Sequence, residues 1–166
     1  MHGIKTNEKK YEIKSEEDFK RNNNFACEAF ENGEIDKAIQ ILNFNLLKGS
    51  KQIYDYSLLI QFYIEKVKAG ENTYLKRTKE IYEEAMNIYK NKKELTVTDK
   101  EDYIYLNYYM GTMQDIADDF QKDDVLIYYD KVLGKWDKDI KSSNNTTGLI
   151  SIYIAIADRY FQKGQY

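Results

Sequence analysis

The chain has 166 residues, enough for one domain with a real core, and 42% of them are hydrophobic. Lys+Arg total 25 against Asp+Glu 28, which offers neither the basic face that nucleic acid requires nor a polybasic segment for an anionic membrane. One cysteine, Cys27, and one histidine, His2, exclude an internal disulfide framework and a Cys/His zinc site, and they leave a His-based triad without support.

No proline occurs, whereas β-rich and loop-rich folds use it in turns. With abundant Lys, Glu, Leu, Ile and Tyr, its absence favours helices joined by short connections. No apolar run approaches the roughly 18 residues of a membrane span. Met1 to Lys14 is polar and carries no secretory signal, so the expected location is cytoplasmic.

Residues 1–14 lack periodicity and are expected to form a flexible arm ahead of one helical domain, 15–166. Ser15 followed by Asp18 resembles a helix N-cap with an acid in the first turn. The first helix carries Phe19, Ala26, Ala29 and Phe30 and stops at Gly33. A second, about 34–48, places Ile35, Ala38, Ile39, Leu42 and Leu46 at helical spacing. Gly49 ends it.

The third helix, about 51–69, is apolar on two sides: Ile53, Tyr56, Ile60, Tyr63 and Val67 on one, Leu58, Leu59 and Phe62 off it. Such a helix packs against neighbours on two sides. Gly70 ends it. The fourth, about 73–91, carries Leu75, Ile81, Tyr82, Ala85 and Tyr89.

Thr98-x-x-Glu101 reads as a capping box for a long fifth helix reaching about Gln121. Its core face is Tyr103, Leu106, Met110, Met113, Ile116, Ala117 and Phe120. The sixth, about 123–141, carries Val125, Tyr129, Val132, Leu133, Trp136 and Ile140. After the loop Ser142 to Thr147, Gly148 opens or precedes a seventh, with Tyr153, Ile156, Ala157 and Tyr160, that Gly164 ends. Gly111 and Gly134 fall inside helices, where each costs about 1 kcal/mol relative to Ala. Close backbone approach is the natural reason to keep them.

An internal repeat supports stacked hairpins. Met113/Ile116/Ala117/Phe120 matches Tyr153/Ile156/Ala157/Tyr160, both spaced i, i+3, i+4, i+7. The segment Phe25-Ala26 … Ala29 … Gly33-x-Ile35-x-x-Ala38-x-x-x-Leu42 resembles a tetratricopeptide repeat, in which a small residue in the first helix precedes a Gly turn and an Ala deep in the second. Ile156-Ala157-x-x-Tyr160-x-x-x-Gly164-x-Tyr166 looks like the first half of another copy. The period here is longer and less even than the family's. Tyr129 stands where the family prefers Ala, and Asn22 and Ala29 stand where large core residues are usual.

The resemblance implies an all-α fold, an α-solenoid of stacked antiparallel hairpins with irregular repeats, exposing a concave surface for a protein or peptide partner. It also implies that a second helix would follow Tyr166, so the chain is expected to be a fragment of a longer array.

Candidate chemistry is sparse. Asp118, Asp119, Asp123 and Asp124 cluster, but without the alternating oxygen ligands and Gly turn of a calcium loop, and they read as solvated helix-end charge. Cys27 has no histidine to activate it. Gly134-Lys135 lacks the preceding glycine of a Walker loop. Asn144-x-Thr146 and Asn145-x-Thr147 read as plain loop. No cofactor and no metal are expected, and the chain is not expected to be an enzyme. A peptide-sensing module of a bacterial regulator is the alternative within binding functions, and a helical-repeat hydrolase using carboxylates the remote one.

In the resembling family the first helix of each hairpin lines the groove. One step round from the core face gives Lys20, Asn23, Cys27 and Phe30 on the first helix. The same step gives Gly111, Gln114, Asp118 and Gln121 on the fifth, and Ser151, Ile154, Asp158 and Phe161 on the seventh. The candidate groove therefore comprises Asn23, Cys27, Phe30, Gln114, Asp118, Gln121, Ile154, Asp158 and Phe161. It lacks the Lys/Asn pattern that grips a terminal carboxylate, and its acids imply a ligand with basic character.

Overall fold

The computed structural model describes residues 9–117, 124–134 and 146–162. Among them the chain is all-α, with no strand. A 3-10 turn, Lys9–Tyr11, leads into α1 (Glu16–Glu31), α2 (Ile35–Leu47), α3 (Ile53–Lys68), α4 (Thr73–Asn91), α5 (Val97–Ile116), α6 (Asp124–Leu133) and α7 (Thr146–Gln162).

The helix starts follow from side-chain chemistry. Asp18 accepts from the backbone N–H groups of Lys14 and Ser15 at 2.7 and 2.8 Å, satisfying donors that a helix start leaves orphaned. The box that opens α5 is Thr96 with Asp99, two residues before the expected Thr98 and Glu101. The Asp99 N–H donates to Thr96 Oγ1 at 3.1 Å, and the Thr96 N–H donates to the Asp99 carboxylate at 3.0 Å. Both pairs satisfy the box spacing, and the shorter, ionised Asp is the one that closes it.

The first three helix ends are set by glycine. Gly33, Gly49 and Gly70 adopt φ of +79°, +89° and +92°, the left-handed region that other residues enter at a cost. The following N–H reaches back in each turn, as Glu34 N–H does to Ala29 O at 2.8 Å. These links are short, so α1 packs on α2, α2 on α3, and α3 on α4.

Later ends depart from expectation. α5 stops at Ile116, and Ala117 is extended at φ −89°, ψ 123°. A longer helix would hold Asp118 and Asp119 in its last turn, where acids oppose the helix dipole. Asp118 to Gln121 themselves lie outside the described residues, as do Trp136 and Ile140. α6 ends at Leu133, with Gly134 in a turn just past it and not inside a helix. α7 begins two residues before Gly148, which falls in its first turn.

The expected frayed arm is docked from Lys9 onward. Tyr11 is buried and meets Phe25 edge-on at 5.8 Å. Residues 1–8 lie outside the description.

Two clusters form the core. The larger runs from Tyr11 through α1–α5 and ends at Ala117; the smaller joins Ile104 of α5 to Tyr129, Val132, Leu149, Ile152, Tyr153 and Ile156. α5 is the shared wall and packs on α3, α4, α6 and α7. α3 packs on α2, α4 and α5, as its two apolar faces require, and Leu59, Ile60, Phe62 and Tyr63 are almost wholly sealed.

Candidate ligand-binding cleft

A cleft of about 620 Å³ opens where α1, α3 and α5 come together. That volume lies within the range of ordinary ligand pockets, about 300–1,000 Å³. Its walls are the early turns of these helices and the segments leading into them. α1 contributes Lys20, Asn23 and Asn24; the start of α3 contributes Gln52, Ile53 and Tyr54; α5 contributes Thr98, Asp102 and Tyr105. Helical spacing explains the α5 set. Asp99, Asp102 and Tyr105 recur every third residue, beside the core stripe Tyr103, Leu106 and Met110.

Below the cleft lies a buried amide network. Asn45 of α2 is fully buried, and its Nδ2 donates to Phe19 O at 3.1 Å, to Asn23 Oδ1 at 3.1 Å and to the Asp55 carboxylate at 3.4 Å. Asn22 Nδ2 donates to Asn45 Oδ1 at 2.9 Å and to Tyr11 O at 3.0 Å. These bonds give Asn22 its role: it ties α1 to α2 and to the docked arm. They also fix Asn23, whose Nδ2 reaches Gln52 at 3.4 Å on the cleft wall.

Three carboxyls respond differently to this setting. Burial pushes Asp55 up to about 6, although hydrogen bonds from Ser50, Asn23 and Asn45 work against the rise. Burial also opposes ionisation of Asp99, but its bonds with Lys92 and Thr96 outweigh that and hold it below the usual range. Burial pushes Asp102 up to about 7, aided by repulsion from Asp99 and Glu101 and only partly offset by Lys92. Asp102 is 8% exposed and lines the cleft. Among the described residues no hydrogen-bond donor reaches its carboxyl.

Of the groove residues read from the sequence, Asn23 and its neighbour Lys20 line this cleft. Cys27 is half-buried just beyond it and hydrogen-bonds Tyr54; burial raises its thiol pKa. Phe30 stacks on Phe62 of α3 at 4.5 Å. Gly111 faces α6, and Gln114 is buried at 5% exposure. Ile154, Asp158 and Phe161 are exposed on α7 and do not line the cleft. Asp118 and Gln121 lie outside the described residues.

As cleft residues, sequence reasoning missed Tyr54, Thr98 and Asp102. On α5 it stepped to the groove face from the C-terminal half of the helix, whereas the cleft lies at the N-terminal half. The three-residue spacing of Asp99, Asp102 and Tyr105 was the available signal.

No family model, no curated protein and no solved structure matches the chain. Among the described residues no group of three or more His, Cys, Asp or Glu could hold a metal ion, and no helix is long and apolar enough to cross a membrane.

Proposed function

We propose that this chain is a peptide-binding scaffold of the tetratricopeptide-like kind. In this reading α1/α2, α3/α4 and α5/α6 are three stacked hairpins, and α7 is the first helix of a fourth. The observation that carries the reading is the origin of the cleft. Its walls come from α1, α3 and α5, the first helices of all three hairpins, and no residue of α2 or α6 contributes. A solenoid that presents its first helices along one face makes such a surface.

The lining suits an extended peptide. Tyr54 and Tyr105 offer large contact area with polar tips, and Asn23, Asn24 and Gln52 offer adaptable amides for a peptide backbone. The hydrolase reading is the second candidate: Asp102 shares the cleft with Glu16, Asp99 and Glu101, although Asp99 is engaged by Lys92 and Thr96.

The test is selection of random decapeptides displayed on phage against the intact chain. Enrichment of peptides that bind the wild type and are lost on Tyr105→Ala supports the reading. No enrichment over several rounds contradicts it.

A further inference from the structure

Asp102 is the one cleft residue whose setting calls for something the protein does not supply. It sits two turns into α5 with 8% of its surface exposed, and that exposed part faces the cleft. An ionised carboxylate only accepts hydrogen bonds, and a buried one without donors is costly. Its neighbours do not meet that need. Lys92, the cation that acts on it, is committed to Asp99 by an ion pair. Asp99 and Glu101 repel it. A metal ion would need at least two further ligands, and among the described residues no group of three such side chains could hold one.

We infer that Asp102 anchors one positively charged side chain, a lysine or arginine, of a peptide lying in the cleft between α1, α3 and α5. This rests on the peptide-binding reading above and adds its specificity. The surroundings fit the whole side chain and not only its charge. Tyr54 and Tyr105 line the approach, so the aliphatic stem is covered while the head reaches the carboxylate. The tyrosine rings attract a cation over their faces as well. The other charges of the cleft balance, Lys20, Lys51 and Lys92 against Glu16, Asp99 and Glu101, so Asp102 carries its net negative charge. Specificity arises because a neutral side chain would leave Asp102 buried and unpaired, or force it to take a proton.

The experiment uses the decapeptides selected from phage against the intact chain at pH 8. Each is resynthesised with a free N-terminus, with an acetylated N-terminus, and with its basic residue replaced by acetyl-lysine or citrulline. Affinities are measured by calorimetry for the wild type, Asp102→Asn and Asp158→Asn. Melting temperature controls for folding, and Asp102→Asn removes a buried charge, so it is expected to fold. The inference predicts a basic residue at a fixed place in the selected peptides. Neutralising it weakens wild-type binding about tenfold or more, and Asp102→Asn loses as much, with no further loss when both changes are combined. Asp158→Asn, an exposed acid outside the cleft, leaves affinity unchanged, and N-acetylation has no effect. Selected peptides without a shared basic residue, or with equal affinity for Asp102→Asn, overturn the inference and leave the peptide-binding reading standing. Sensitivity to N-acetylation in place of side-chain neutralisation also overturns it. No selected peptide at all overturns both.

Discussion

The ring of Tyr129 lies directly over Gly111: a Cβ added there would stand 2.5 Å from Cε1 and 2.9 Å from Cδ1. The two residues are one device. The small residue on α5 lets the large one on α6 come close. Tyr129 is 4% exposed and stacks near Tyr108 at 6.3 Å, so it has little room to withdraw.

Gly111→Ala is therefore predicted to destabilise the fold. The helix-propensity gain is about 1 kcal/mol, but overpacking costs roughly 1–3 kcal/mol, and the contact is with a hemmed ring. Combining it with Tyr129→Ala should cost less than the sum of the single changes. Urea melts of the four proteins measure this; additive effects would show that the ring does not hold the glycine in place.

Asn45→Ala is predicted to cost about 2–4 kcal/mol. It removes one side chain yet strips partners from Asn22, Asn23, Asp55 and the Phe19 carbonyl together. Asn91→Ala, which removes only two exposed bonds to Asn87 within α4, should cost little. Equal denaturant midpoints for the two variants would mean that the network contributes nothing.

Stability should rise as pH falls from 8 toward 5. Asp55 and Asp102 have folded pKa values raised to about 6 and about 7. The folded state therefore binds protons more tightly than the unfolded chain, and their stabilising contribution is present below the ordinary carboxylate value and lost as pH climbs through 6 and 7. Asp18 and Asp99 are shifted the other way, so their contributions are lost as pH falls below the ordinary value. The expected curve peaks near pH 5. The rise from pH 8 is roughly 3–6 °C in Tm, the response to about 1–2 kcal/mol at this chain length. Asp102→Asn should flatten much of it. A curve that is flat between pH 5 and 8 would contradict the burial of these two groups.

What was legible in the sequence was local. Gly33, Gly49 and Gly70 announce the first three turns because only glycine takes a positive φ cheaply, and the apolar stripes of α2, α3 and α4 follow from their spacing. The double-sided apolar pattern of α3 also told its place between neighbours. The polar network was not legible. Asn22, Asn23 and Asn45 are 22 or 23 residues apart across two helices, and their bonds depend on tertiary approach. Read singly, Asn22 looked like a departure from a repeat. The end of α5 was misread because Ile116-Ala117-Asp118-Asp119-Phe120 copies a motif that is helical in α7, and similarity outweighed the cost of acids at a helix C-terminus. The cleft was half visible. Asn23 and Lys20 came from the right face of α1. α5 is apolar around much of its circumference, so the choice of groove face there had little to guide it, and Asp102 was passed over.

Amide chemical-shift mapping asks directly whether ligand lies across α1, α3 and α5. A peptide selected against the intact chain is titrated into 15N-labelled protein, and the shifts are followed at Asn24, Tyr54, Asp102 and Tyr105 of the cleft and at Ile150, Ile154 and Phe161, the exposed apolar residues of α7. The account predicts saturable shifts at the cleft amides, with those of α7 nearly unmoved. Shifts centred on α7, with the cleft amides unchanged, would contradict it.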